Sequence, residues 1–242
     1  MHMHQTMLAL ECSTDTLSLA LQVGEQRWGQ EHAGGAQASA KALGLLADLL
    51  SQAQLQWSDV NLLVFGRGPG AFTGVRVACA IAQGLAFAQS LPFMPISGLL
   101  AMAENARQQQ ISNGLLKANA PLQVLAAQDA RMGQAYVVEC RFDGQAWVLG
   151  SESLRTYADM QQCSTGFVCA GNLRAAMQAA ELAVPSNFVD ALPTASALLQ
   201  LAQQYLAQGV QPLQDPALAL PAYVRDKVAQ TTAERQLAKQ GA

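Results

Sequence analysis

The sequence predicts an α/β protein built twice on one plan, with mixed sheets flanked by helices. Two observations predict it. Three strand-like runs open the chain, helical and strand-like runs then alternate, and the same style returns after about residue 121. Hydrophobic residues make up 51% of the 242 residues and charged residues only 13%, against a usual charged share of roughly 25%. Such a balance calls for a large core, or for apolar surface covered by a partner.

The elements follow in order. Met7 to Glu11 reads as a buried strand, and "STDT" (Ser13 to Thr16) as a turn whose side-chain oxygens bond the local backbone. Leu17, Leu19, Leu21 and Val23 alternate, giving a second strand, and Gln26 to Ala33 a third. "GGAQAS" breaks the pattern. From Ser39 to Ala53 the apolar residues Ala42, Leu46, Leu49 and Ala53 mark an amphipathic helix with a wide apolar face. Strand Leu62 to Phe65 runs into a glycine-rich loop, then a nearly uncharged helix from Phe72 to Ser90. Phe93 to Ile96 is a strand and Gly98 to Arg107 a helix.

Ser112 to Pro121 is a linker. The expected division is an N-terminal domain over 1–110, a C-terminal domain over 111–225 and a flexible tail over 226–242. In the second half, strand Leu122 to Ala127 and the turn "QDARMG" precede a hairpin, Gln134 to Phe142 and Ala146 to Ser151, around Asp143-Gly144. A short helix, Thr156 to Gln162, a strand, Phe167 to Ala170, and helices Leu173 to Glu181 and Ala195 to Gln208 complete it.

Bulk properties narrow the function. The net charge is -3 and no long basic run occurs, so the footprint of a protein that grips nucleic acid alone is missing. The five cysteines include no CxxC pair, and reduced thiols in a cytoplasm are the expectation. Structural zinc is not expected, because the histidines are His2, His4 and His32. His2 and His4 precede the first strand and read as part of an extension. No apolar run is long enough to span a bilayer.

The loop "GRGPGAFTGVR" (Gly66 to Arg76) raises the main question. Gly66-x-Gly68-x-x-Ala71 fits a dinucleotide pattern between strand and helix. However, no acid follows the next strand at Ile96-Ser97 to hold a ribose, and no Lys-Ser/Thr completes a phosphate loop. Gly66, Gly68 and Gly70 instead suit a tight strand exit. Arg67 and Arg76 could bind an anion or brace the loop.

The following helix carries two rows of small residues: Gly74, Ala78, Ala82 and Ala86, and Ala80, Gly84 and Ala88. Small residues let another helix approach closely. The rows fit either this chain's own core or a helix shared with a partner. Ser13 and Thr14 could form a phosphate-binding hairpin with Glu11 or Asp15 on a cation, or an ordinary polar turn. His32 is the one histidine placed in an ordered strand, and serines or cysteines without a paired histidine make poor nucleophiles.

"GRGPGAFTGVR", "AIAQGLAFA", "QDARMGQAYVV" (Gln128 to Val138) and "PAYVRDKVA" (Pro221 to Ala229), with the opening "LALECSTDTLSLAL", together resemble the TsaB family over nearly the whole chain. The resemblance implies two actin-like, hexokinase-like (ribonuclease H-like) domains. It implies a non-catalytic scaffold in bacterial synthesis of threonylcarbamoyladenosine, next to the anticodon of tRNA. The catalytic relative TsaD would be the direct partner, the ATPase TsaE would join, and TsaC would supply threonylcarbamoyl-adenylate. Contact with tRNA would fall mainly to the partners.

The implied docking surface is the two helices of the first domain, mapped to Ala42, Leu46, Leu49, Thr73, Val77, Ala80, Ile81 and Gly84. The same helices could also form a homodimer. No cofactor or metal is expected on the isolated chain, and ATP or ADP only in the complex. Other classes considered are an ATP-dependent small-molecule kinase of the same fold and a glycoprotease-like peptidase. Three departures from the family pattern stand out. Glu11-Cys12 replaces Asp-Thr and argues against nucleotide binding at the hairpin. "EHAGGAQAS" replaces a His-Thr/Ser segment, so the first helix is expected to start elsewhere. Ala71 lacks a capping hydroxyl, so the second helix is expected to be weakly capped or to begin late.

Overall fold

The computed structural model describes residues 5–35, 38–162 and 166–225. The expectations for the 226–242 tail, for His2 and His4, for Cys163 and for part of "GGAQAS" lie outside the described residues.

The first half runs β1 (Thr6–Glu11), β2 (Thr16–Val23), β3 (Gln26–Ala33), α1 (Ala38–Gln52), β4 (Leu62–Gly66), α2 (Phe72–Gln89), β5 (Phe93–Ile96) and α3 (Gly98–Ser112). The second half runs β6 (Leu122–Asp129), β7 (Gln134–Phe142), β8 (Trp147–Leu149), β9 (Ser153–Thr156), α4 (Tyr157–Gln162), β10 (Val168–Gly171), α5 (Arg174–Ala179), β11 (Phe188–Asp190) and α6 (Ala195–Ala207).

The first sheet has the order β3-β2-β1-β4-β5, with the opening meander antiparallel and β1, β4 and β5 parallel. The second has the order β11-β10-β6-β7-β8, with β9 also paired to β7. There the meander is again antiparallel, while β6, β10 and β11 are parallel. The same order therefore occurs twice, which is the actin-like, ribonuclease H-like plan. β9 and β11 are additions to the sequence reading. Both are short edge runs, and "SLRT" and "FVD" carry too few residues to show a period of two.

β1 is buried on both faces, which explains its unbroken apolar run. Leu8 and Leu10 point with Leu19, Leu21, Leu63 and Phe65 toward α1 and α2. Met7 and Ala9 point with Leu62 and Val64 the other way, into a core shared by both halves. In that middle layer the helices exchange sides. α6, the last helix of the second half, crosses β1, β2, β4 and β5 of the first sheet. α3, the last helix of the first half, lies on β6, β7 and β10 of the second. α4 and α5 cover that sheet's outer face through Met160 and Met177.

A buried charge cluster holds α3 to the second half. Glu104 on α3 accepts from Arg107 Nε and Nη2, both at 2.9 Å, and from Trp147 Nε1 at 2.7 Å. Arg107 also donates to the Ala118 carbonyl of the linker at 2.7 Å and stacks over Phe142. Carboxylate and guanidinium are thus both paired, as buried charges must be.

Candidate functional site

Two concave regions meet at the glycine loop: a cleft between the halves and a groove on the outer helices.

The loop is shaped by close packing. Gly66 lies against the Glu11 carboxyl, and a Cβ on Gly70 would meet the Ser13 carbonyl. Gly68 has φ +85°, where a side chain would be strained. Ala71 N donates to Ser13 O at 2.7 Å, which ties the start of α2 to the turn after β1. α2 starts at Phe72 with no side-chain cap, and the absent hydroxyl does not delay it.

Arg67 and Arg76 each pair with a side chain distant in sequence. Arg67 Nη2 lies 3.2 Å from both Glu152 carboxylate oxygens, and Ser97 Oγ donates to the same carboxylate. That fork ties the loop to the β8–β9 connection of the other half. Arg76 stacks on Phe72 with its guanidinium 3.6 Å from the ring centroid, and its Nε donates to the Tyr223 hydroxyl at 2.9 Å. Sequence reasoning missed both partners. Tyr223 stood within the quoted "PAYVR" segment, but nothing there pointed to Arg76.

The cleft has a volume of about 270 Å³ and is lined by Ser13, Thr14, Gly70, Gln128, Arg131 and Tyr223, among others. Thr14 Oγ1 accepts from Thr16 N at 3.2 Å, the mark of a polar turn. Ser13 Oγ and Gln128 Oε1 are buried without a hydrogen-bond partner. Of the two carboxylates considered for a cation, Asp15 lines the cleft, as does Asp129. Glu11, the carboxylate at the end of β1, faces Gly66 and does not line the cleft. Burial raises its pKa above the ordinary carboxylate value, against weaker hydrogen bonds that lower it. Among the described residues no three His, Cys, Asp or Glu side chains group as a metal site.

The groove lies between α1 and α2, about 770 Å³, lined by Ser39, Leu43, Phe72, Thr73, Arg76, Val77, Ala80, Ile81, Gly84, Leu85 and Ala88. The small-residue rows divide here. Gly74, Ala78, Ala82 and Ala86 are buried against the first sheet, and a Cβ on Gly74 would drive into the Cys12 carbonyl. Ala80, Gly84 and Ala88 are exposed, and nothing lies within 4 Å of a Cβ placed on Gly84.

Three of the expected docking residues need correction. Ala42, Leu46 and Leu49 are fully buried under α1, packed on the first sheet with Leu8, Leu10 and Leu19. They are the core stripe of that helix, and Leu43 on its flank is what the surface offers. Ile81 is buried at the groove floor, Val77 is half-buried, and Thr73, Ala80 and Gly84 are open. Exposed Phe87 lies farther along α2.

Comparison with known proteins places this geometry. The family model described as "TsaD: tRNA N6-adenosine threonylcarbamoyltransferase" matches residues 34–233. A Haemophilus influenzae protein named tRNA threonylcarbamoyladenosine biosynthesis protein TsaB is 40% identical over 54% of this chain and 52% of its own length. The Escherichia coli protein of the same name is 34% identical over 78% of this chain and 81% of its own. The solved structure of YeaZ from Pseudomonas aeruginosa superposes with a TM-score of 0.75 at 32% identity, covering 90% of this chain and 99% of that one.

Proposed function

Because the chain belongs to the TsaB family, we propose that it serves tRNA threonylcarbamoyladenosine biosynthesis as a non-catalytic subunit. In this reading it docks on a TsaD transferase through the α1–α2 face, with TsaE joining the assembly and TsaC acting upstream. It would do so in the cytoplasm, and tRNA contact would rest mainly with the partners. No helix among the described residues is long and apolar enough to cross a membrane.

The observation that carries this reading is the open row Ala80, Gly84, Ala88 beside the exposed Leu43 and Phe72. Gly84 costs the helix about 1 kcal/mol relative to alanine, and a row of small residues is useful when a second helix closes on it. Ala80→Glu and Gly84→Leu put charge or bulk into that contact without touching the core. Each is expected to raise the Kd for the cognate TsaD by at least about tenfold, a loss of roughly 1.4 kcal/mol, with the thermal transition of the isolated chain not lowered. Undiminished TsaD binding in both variants overturns the docking face. Equal tRNA modification by TsaD, TsaE and TsaC in its absence overturns the scaffold role.

A further inference from the structure

We propose that the C-terminal strap, Pro216 to Val224, is a third lane of the TsaD-docking surface, beside α1 and α2, with Leu218 and Leu220 as its contact residues. This rests on the docking reading above and extends it to residues on the far side of α2.

The strap leaves the second half and returns over the first. Leu213 exchanges two backbone hydrogen bonds with Phe93 on β5, both at 2.8 Å. Gln83 on α2 donates to the Ala219 carbonyl at 3.2 Å, Ala222 N donates to Arg67 O at 2.8 Å, and Arg76 reaches Tyr223. Ala219 thus sits beside Gln83 and Tyr223 beside Arg76, so the strap runs antiparallel to α2. α1 flanks α2 on one side and the strap flanks it on the other.

Its side chains are arranged against the ordinary order. The small Ala219 is buried in the first-half core, while Leu218 and Leu220 are 49% and 57% exposed. Tyr223 is 56% exposed. Pro216 to Val224 contains no charged residue. The segment is held by its backbone and by an alanine, and its large apolar groups face outward, where folding gains nothing from them.

Size argues for one continuous surface. The groove is lined by eleven residues, whereas a standard stable interface engages roughly 20–30 residues a side. A partner seated on the groove therefore extends past it, and the strap is the adjoining uncharged surface on that side of α2. The groove fits an apolar partner face of the kind a helix pair presents, since Arg76 is the one cation among its lining residues and is committed to Phe72 and Tyr223.

The test uses the full chain with purified TsaD. Leu218→Asp with Leu220→Asp is expected to raise the Kd by at least about tenfold with an unchanged thermal transition. The alanine pair at the same positions serves if the aspartates perturb folding, with a smaller rise of about threefold or more. A Kd within about twofold of the parent for both pairs, while Gly84→Leu still weakens binding, overturns this inference alone. Loss of effect in Gly84→Leu as well overturns the docking face itself. If the strap variants dissolve a self-associated dimer in sedimentation and leave TsaD binding intact, the strap belongs to a contact between copies and the inference is overturned.

Discussion

Glu11 ends the first strand with a carboxyl sealed beneath the glycine loop. Its Oε1 accepts from Ser13 N, while Oε2 has no partner. Burial raises its pKa above the ordinary value of 4.5, so the folded chain holds the proton more tightly than the unfolded chain. Its contribution to stability is full below pH 4.5 and is lost as pH rises through the folded-state value. Glu11→Gln keeps the shape and removes the charge. Urea unfolding across pH should show the variant gaining on the parent as pH climbs above 4.5, and parallel curves would count against a raised pKa. The same sealing pushes the Cys79 thiol up to about 11, again chiefly by burial. The two arginines of the loop show what sequence alone leaves open at this scale. An arginine in a glycine loop reads equally as anion ligand or brace, and the side chains that pair with these two, Glu152 and Tyr223, lie far away in the chain.

The second helix carries opposite demands on its two faces. Gly74→Ala should lower stability by at least about 1 kcal/mol, because the added methyl meets the backbone carbonyl of Cys12, just past β1, which cannot swing away. Gly84→Ala should raise it by about 0.5–1 kcal/mol, because a methyl there meets nothing and the helix gains rigidity. Chemical denaturation of both variants checks the contrast, and equal effects would contradict the assignment of the rows. Both rows were legible in the sequence. Which one faced the sheet was not, since α2 has almost no charged residue to mark a wet side. α1 misled for a related reason. Its apolar face is wide enough to hold both a core stripe and a docking flank, and Ala42, Leu46 and Leu49 turned out to be the core stripe. The strap gave no periodic signal, because backbone hydrogen bonds hold it.

At the level of the molecule, two similar halves were readable from strands followed by alternating elements. The exchange of α3 and α6 was not. A helix pattern shows that an apolar stripe exists, but not which sheet it covers. The exchange makes each half depend on the other. A fragment of residues 1–112 lacks α6, and would expose Met7, Ala9, Ala20, Leu62 and Val64 together. It should show no cooperative thermal transition alone, and regain one when mixed with 113–242. An independently folded 1–112 fragment would refute that dependence. The same arrangement has a bearing on biosynthesis. As the chain leaves the ribosome, its first sheet is complete once β5 is out, yet one face stays bare until residues 195–207 have emerged. For more than a third of the translation time that face is open to unwanted association, so a holding chaperone would be needed most during synthesis of the second half.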